Sequence, residues 1–274
     1  TVKATAFTGD GSNLTNLPSS GGALEASGGT TSTVTLNGVQ YKLHVFTSSG
    51  TLTVTTGGVA DVIVVGGGGG STNRYHGGGG AGGVMLLTNL QIESNVTVTI
   101  GAGSTGTGTS SYFGTFEGKG GGGRNAAGGS GGGGGHSNPG ESGGASNQST
   151  AAATFGAQSF GYKGGRHVYS TPYPSGGGGG ATSEGTGGSG STLRVGGKGL
   201  NLTSAVGTAV GDNGFFASGG MGGYYWPNGY GVSTPTNPQG GGGSYNVAGQ
   251  VNTGGGGGAG QAGGSGVVIV RCLA

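Results

Sequence analysis

Residues 60–70 read ADVIVVGGGGG, an apolar run that passes directly into five consecutive glycines. The stretch from Val62 to Val65 contains no polar residue, which is typical of a central strand in a sheet. The glycines that follow have the opposite character, because glycine loses more backbone entropy on folding than any other residue and has no side chain to bury. The fold must therefore explain how such a strand continues into ordered glycine.

Runs of four or five glycines recur along the chain, at 66–70, 77–80, 120–123, 131–135, 176–180, 240–243 and 254–258. Alone, such a tract is a flexible linker. Several tracts side by side can be ordered as three-fold helices that rise about 3.1 Å per residue and bond to one another through their backbones. Only glycine fits where such helices are surrounded on all sides. The tracts therefore predict a bundle of polyglycine II helices, with Gly178 and Gly256 in its interior.

Composition leaves disorder as the main alternative to this bundle. The chain has 80 glycines but only 7 prolines in 274 residues, which excludes collagen because collagen needs far more proline and a strict three-residue period. Leu, Ile, Val and Phe make up about 17% of the chain, a value found in disordered proteins. However, the net charge is only +2 and the apolar residues are grouped into strand-like runs. A folded chain is therefore expected.

Alternating apolar and polar residues predict further strands before and after the first glycine tracts. Thr33 to Leu36 and Val39 to Phe46 flank Asn37-Gly38, the strongest short signal for a hairpin turn. Further strands are predicted over Leu52–Thr55, which follows Ser48-Ser49-Gly50, and over Val96–Ile100. The last strand, Val267–Val270, resembles Val62–Val65 in composition, so both are expected in one sheet, with the glycine region inserted between them.

These patterns predict an all-β protein, a jelly-roll-like β-sandwich with an inserted polyglycine II bundle. Residues 1–22 are expected to be a connector, residues 30–117 the sandwich, which residues 267–272 complete, and residues 118–266 the bundle with its variable loops.

Several functional classes lack the residues that they require. The ten Lys and Arg residues form no basic stripe, so nucleic-acid binding is not expected. No apolar stretch approaches the ~20 residues that span a bilayer, so membrane insertion is not expected either. The four histidines and the single Cys272 have no metal-ligand spacing, and the eight carboxylates show no local pair. The sequence therefore predicts no enzyme, no metal and no cofactor.

Aromatic residues are concentrated in the windows 155–174 and 215–230, which hold 11 of the 19 in the chain. Large aromatics with a polar group dominate binding hot spots, so these windows are either a recognition surface or caps over the ends of the glycine helices. As a recognition surface, their expected contact residues are Arg166, His167, Tyr169, Tyr173, Tyr224, Tyr225, Trp226 and Tyr230. His76, which follows Arg74-Tyr75, is a further candidate.

The ordered set formed by residues 60–70, 76–83, 97–103 and 263–271 resembles the glycine-rich domains of bacteriophage tail and fibre proteins. The opening AFTGDGSNLTNLP at 6–18 is similar to the fibre-stem segments that often precede such domains. Glycine tracts alternating with variable loops also resemble polyglycine-sandwich adhesins, although the long N-terminal β region here departs from them. A third resemblance is to the glycine-rich domain of the anaplastic lymphoma kinase receptors, but the fibre-stem opening and the lack of disulfides favour the phage proteins.

The phage resemblance implies a receptor-binding protein at a tail-fibre tip, located in the virion outside the cell. Its expected partners are a bacterial surface glycan or outer-membrane protein and other tail-fibre proteins, and a homotrimer is expected because such fibres are usually trimeric. The alternative is a purely structural protein of a virion or extracellular filament. An antifreeze protein is a more distant alternative, because ice-binding faces are flat and regular whereas these loops are bulky.

Overall fold

The computed structural model describes residues 22–135, 141–148, 157–167, 174–187, 194–224 and 237–274. Apart from Gly22, the connector predicted over residues 1–22 lies outside them. The elements of the described part are β1 (Glu25–Ser27), β2 (Thr30–Leu36), β3 (Val39–Phe46), β4 (Gly50–Thr56), β5 (Gly58–Val65), β6 (Val84–Ile92), β7 (Val96–Thr99), β8 (Ser111–Phe113), β9 (Phe116–Gly118), β10 (Gln158–Phe160), β11 (Leu200–Asn201), α1 (Thr203–Val206), β12 (Phe215–Phe216) and β13 (Val267–Leu273).

A six-stranded antiparallel sheet holds both ends of the glycine-rich region. Its strand order is β10-β6-β5-β13-β3-β2. The last strand, β13, lies between β5 and β3, and Val268 is opposite both Val64 and Phe46. The prediction that Val62–Val65 and Val267–Val270 share one sheet is therefore confirmed.

A second antiparallel sheet, with the order β1-β4-β7-β8-β9, faces the first. The two sheets enclose a core that includes Leu52 and Phe113 from the second sheet and Val62 and Val268 from the first. The fold is therefore all-β, as predicted, and its two sheets form a sandwich.

The predicted hairpin between β2 and β3 is confirmed. These strands pair antiparallel from Leu36↔Val39 to Thr30↔Val45, and Asn37 and Gly38 have φ of 50° and 81°. Positive φ at both central turn residues is the geometry that the Asn-Gly pair favours. The next connection behaves differently, because residues 47–49 carry the chain across to the other sheet, where β4 pairs with β1 and β7.

The glycine tracts have the three-residue hydrogen-bond repeat of polyglycine II. Successive amides of residues 66–71 donate to three different neighbouring segments in turn and return to each neighbour three residues later. The acceptors are the carbonyl oxygens of Gly83, Thr109, Gly264, Gly80, Gly106 and Gln261, at 2.8–3.1 Å. Each tract is thus held by hydrogen bonds to the backbones of neighbouring segments, and few of its hydrogen bonds join residues of the same tract.

We call this bundle of hydrogen-bonded glycine tracts the glycine lattice. Its interior glycines have no room for a side chain. The amide of Gly178 donates to Gly220 O at 2.9 Å, and a Cβ on Gly178 would overlap the carbonyl oxygen of Gly79. The Gly79 oxygen also lies where a Cβ on Gly256 would be. Both glycines are therefore inside the bundle, as predicted.

The lattice packs on the outer face of the six-stranded sheet. Ile63 and Ile269 on that face share a second apolar core with Ala81, Ala181 and Phe216. The sheet is thus covered on both faces, which explains why the stretches Val62–Val65 of β5 and Val267–Val270 of β13 contain only apolar residues.

The lattice and the sandwich are also interleaved in sequence. Tracts 66–70 and 77–83, together with residues 101–109, lie within the range predicted for the sandwich, yet they bond to later glycine tracts. Conversely, β10 comes from the range predicted for the bundle and pairs with β6. Within the described ranges, no helix has the length and apolar character needed to cross a membrane.

Candidate functional site

The candidate site lies at the end of the glycine lattice that is remote from the sandwich. Gly66 directly follows β5, and its amide bonds to Gly83, which directly precedes β6. At about 3.1 Å per residue, the tract that starts at Gly66 carries Ser71 roughly 15 Å beyond the sheet. The loop 72–76 then returns the chain to the next tract. We call this end of the lattice the far end.

Hydrogen bonds to backbone carbonyl oxygens join three segments at the far end. The Ser175 hydroxyl donates to Tyr75 O at 2.7 Å, and the Ser175 amide donates to Gly223 O at 2.9 Å. The amide of Gly223 in turn donates to His76 O at 2.8 Å. The residues next to these bonds are therefore held in fixed relative positions although they are far apart in sequence.

An arginine–tyrosine cluster, formed by Arg74, Tyr75, Arg194, Tyr224 and Tyr245, stands on these segments. The guanidinium carbon of Arg194 lies 4.9 Å from the centroid of the Tyr224 ring, and the rings of Tyr224 and Tyr245 are 5.3 Å apart with a tilt of 35°. Arg74 lies 4.9 Å from the centroid of Tyr75 and donates to its hydroxyl at 2.6 Å. Both arginines thus lie against aromatic rings, an arrangement that favours a cation.

Arg194 is the most deeply buried member of the cluster, with 4% of its surface exposed. Its Nε and Nη2 atoms have no hydrogen-bond partner among the residues that the structure describes. Burial lowers the pKa of Arg194 to about 10, although the nearby Tyr224 and Tyr245 act in the opposite direction. The site therefore contains a buried cation with two unsatisfied donor nitrogens.

Tyr245 is affected by the same environment. Burial raises the pKa of Tyr245, and Tyr224 raises it further, while Arg74 and Arg194 oppose the increase. Tyr245 is therefore a neutral hydroxyl at physiological pH, able to donate or accept a hydrogen bond. Tyr224 and Tyr245 are both partly exposed.

A second set of polar side chains lies beside the cluster, and its positive charge is paired with a carboxylate. Arg124 forms an ion pair with Glu141 at 3.2 Å, and its Nη1 lies 3.3 Å from His76 Nε2. Asn125 donates to the same carboxylate and accepts a hydrogen bond from the Gly135 amide at 2.8 Å. This group connects further tract ends to the loop that carries Arg74 and Tyr75.

The predicted contact residues have different positions. Arg166 is exposed and Tyr224 belongs to the cluster. His167 is completely buried, and its Nδ1 donates to Pro174 O at 2.7 Å. His167 therefore holds Pro174, which pairs with Tyr224, and it is not on the surface, which does not fit its expected role as a direct contact. The remaining predicted contacts lie outside the described residues: Tyr169, Tyr173, Tyr225, Trp226 and Tyr230.

Sequence reasoning missed Arg194 and Tyr245 and considered Arg74 and Tyr75 only through their neighbour His76. Arg194 and Tyr245 fall outside both aromatic windows, although each lies within two residues of a pair or run of glycines. Residues that flank the end of a glycine tract are brought to the end of the bundle, so this position is the signal that could have identified them.

Among the residues that the structure describes, no group of three or more His, Cys, Asp or Glu side chains could hold a metal ion. The geometry of the far end instead offers aromatic faces, two guanidinium groups and phenolic hydroxyls. These groups are suited to non-covalent recognition.

A comparison with curated proteins found no match to this chain. The family model described as Glycine-rich domain matches residues 45–273, which include most of the sandwich and the entire glycine lattice. The chain therefore belongs to the glycine-rich domain family.

Proposed function

We propose that this chain is a binding protein whose recognition surface is the far end of the glycine lattice. The observation that carries the proposal is the arginine–tyrosine cluster, in which side chains from four separate segments meet at the ends of glycine tracts. Tyrosine and arginine are the residues most enriched in binding hot spots, together with tryptophan.

The lattice would contribute preorganisation to this surface. Loops that are fixed at both ends by bonded tracts lose less conformational entropy on binding than free loops do. Gly176 and Gly223 lie at the far end, and their amides donate hydrogen bonds of 2.8 Å to Gly134 O and His76 O. A rigid scaffold of this kind favours affinity without requiring a large interface.

The sequence resemblance extends this proposal to a biological setting. The chain would serve as a tail-fibre tip adhesin of a bacteriophage, bound to a bacterial surface glycan or outer-membrane protein and joined to other tail-fibre proteins, in a homotrimer. Tyr224 and Pro174 are the described residues next in sequence to Tyr225 and Tyr173, so two of the proposed contact loops start or end beside the cluster.

The proposal is tested by adsorption of the purified protein to a panel of bacterial strains. Trp226→Ala and Tyr245→Ala should each weaken adsorption about thirtyfold or more, since one anchor of this kind contributes about 2 kcal/mol. Both variants should melt close to the wild-type temperature. Tyr162→Ala is the matched control, because Tyr162 is 44% exposed and lies next to the sandwich end of its tract.

A purely structural role is the second candidate, because the cluster's rings pack on one another and on buried Arg194. In that case the rings are a cap over the glycine helices. Loss of several kcal/mol of stability in Tyr245→Ala and Trp226→Ala, with adsorption unchanged, would support the cap and overturn the binding proposal.

A further inference from the structure

Arg194 carries a buried positive charge that no acidic side chain balances within the described residues. The ion pairs found there join Arg124 to Glu141, Lys163 to Glu184 and Arg271 to Asp61. A buried charge is costly unless it is paired, and two donor atoms of Arg194 are also without acceptors. The free protein thus contains a site where an added acceptor would be favourable.

A second cation lies close to the same rings. Arg74 interacts electrostatically with Tyr75, Tyr224 and Tyr245, and Arg194 interacts with the last two. The cluster therefore combines two guanidinium groups with three phenolic hydroxyls and contains no carboxylate. A guanidinium group presents several N–H donors in one plane and can donate two parallel hydrogen bonds to the two oxygens of a carboxylate or phosphate.

We infer that the arginine–tyrosine cluster binds an anionic oxygen group, a phosphate or a carboxylate, that is carried on a sugar of the recognised surface. The inference rests on the proposed binding function and specifies its ligand. Tyrosine rings provide the flat apolar faces on which a sugar ring can stack, which favours a sugar over an acidic protein loop.

The route to Arg194 passes its neighbouring rings. Arg194 packs directly on Tyr224, which is partly exposed, so the guanidinium lies about one ring below the surface. Rotation of the Tyr224 or Tyr245 side chain would open a path by which the anion reaches Nε and Nη2 of Arg194. The ligand would then fill the vacant hydrogen-bond positions of Arg194.

Titration calorimetry of the purified protein tests the inference with three probes: inorganic phosphate, glucuronate and neutral glucose. We expect at least one of the two anions to bind the wild type, and glucose to bind at least tenfold more weakly. Arg194→Met should reduce anion affinity at least tenfold, whereas Lys198→Gln, which removes an exposed positive charge elsewhere, should leave it unchanged. No binding of either anion, or equal binding by Arg194→Met, would overturn the inference.

Arg194→Met should fold, because replacing an unpaired buried charge with an apolar side chain is often neutral or stabilising. Arg74→Gln provides a second test at an exposed position, and it should weaken anion binding severalfold without changing the melting temperature. Unchanged affinity in Arg74→Gln together with a loss of folding in Arg194→Met would count against the site.

Adsorption experiments with bacterial cells distinguish this inference from the proposed function. On a strain that adsorbs the protein, the anion that binds the purified protein should inhibit adsorption. Periodate treatment of the cells should abolish adsorption, whereas protease treatment should not. Adsorption that is sensitive to protease and indifferent to the anion would overturn the inference but leave the binding function intact. Anion binding by the purified protein without adsorption to any strain would count against the adhesin proposal instead.

Discussion

At the scale of single residues, the need for glycine depends on the position within the lattice. A Cβ on Gly178 would overlap backbone atoms of Gly79, whereas a Cβ on Gly106 would meet only the Ser104 hydroxyl, at 3.7 Å. Both residues belong to the glycine-rich region, but only the first is enclosed by other tracts. Backbone carbonyls cannot move aside as a flexible side chain can, so substitution at enclosed positions must displace a neighbouring tract.

Gly178→Val should therefore destabilise the protein by at least the 1–3 kcal/mol that is typical of overpacking, a drop of several degrees in melting temperature. Differential scanning calorimetry measures the change. Gly106→Val is the matched control and should melt within about a degree of wild type, since each kcal/mol shifts the melting temperature by only a few degrees. Equal melting of Gly178→Val and Gly106→Val would contradict the enclosed lattice.

His44 should make stability depend on pH. The ring is fully buried on β3 and its Nδ1 donates to Gly28 O at 2.9 Å, whereas Nε2 has no hydrogen-bond partner in the described part of the chain. Burial lowers the pKa of His44 below its usual value of 6.5, with a smaller contribution from Lys42, and the bond to Gly28 opposes this only in part. The unfolded chain then takes up a proton more readily than the folded chain, so stability is complete above about pH 6.5 and decreases below it.

Urea unfolding at pH 7.5 and 5.5 measures this effect. The wild type should lose more stability between the two pH values than His44→Leu does, because the leucine variant has no proton to bind at this position. The same loss in both proteins would show that other groups cause the pH dependence.

At the scale of elements, β13 decides whether the sandwich closes. It is the only strand of the described part that bonds to both β5 and β3, and its residues Val267–Val270 are fully buried between the two cores. Without it, β5 and β3 would each present an unpaired edge at the centre of the sheet. Exposed apolar edges of this kind promote aggregation.

Truncation after Gly266 should therefore yield an insoluble or aggregated protein, as measured by the soluble fraction on expression and by light scattering. Truncation after Cys272 is the control, because it removes only Leu273, which is 51% exposed, and Ala274. A soluble, protease-resistant protein that lacks residues 267–274 would show that β5 does not need this partner.

At the scale of the whole molecule, the backbone provides much of what side chains provide in most proteins. The two apolar cores are confined to the sandwich and the adjoining face of the lattice. Beyond them, tracts far apart in sequence hold one another through amide-to-carbonyl bonds of about 3 Å, as between Gly79 and Gly257 or Gly178 and Gly220. Such bonds are retained only if many tracts assemble together, which makes the far end a product of the entire lattice.

The sequence by itself determined the all-β class, the Asn37-Gly38 hairpin, the shared sheet of Val62–Val65 and Val267–Val270, and the enclosure of Gly178 and Gly256. These features follow from local periodicity, turn chemistry and the steric demand for glycine. Only the tertiary structure decided that β4 crosses to the second sheet, that early and late tracts interleave, and that Arg74, Arg194 and Tyr245 meet at the far end. Glycine tracts carry no side chains that would specify a neighbour, so their pairing, and the site that depends on it, is settled only when all of them pack together.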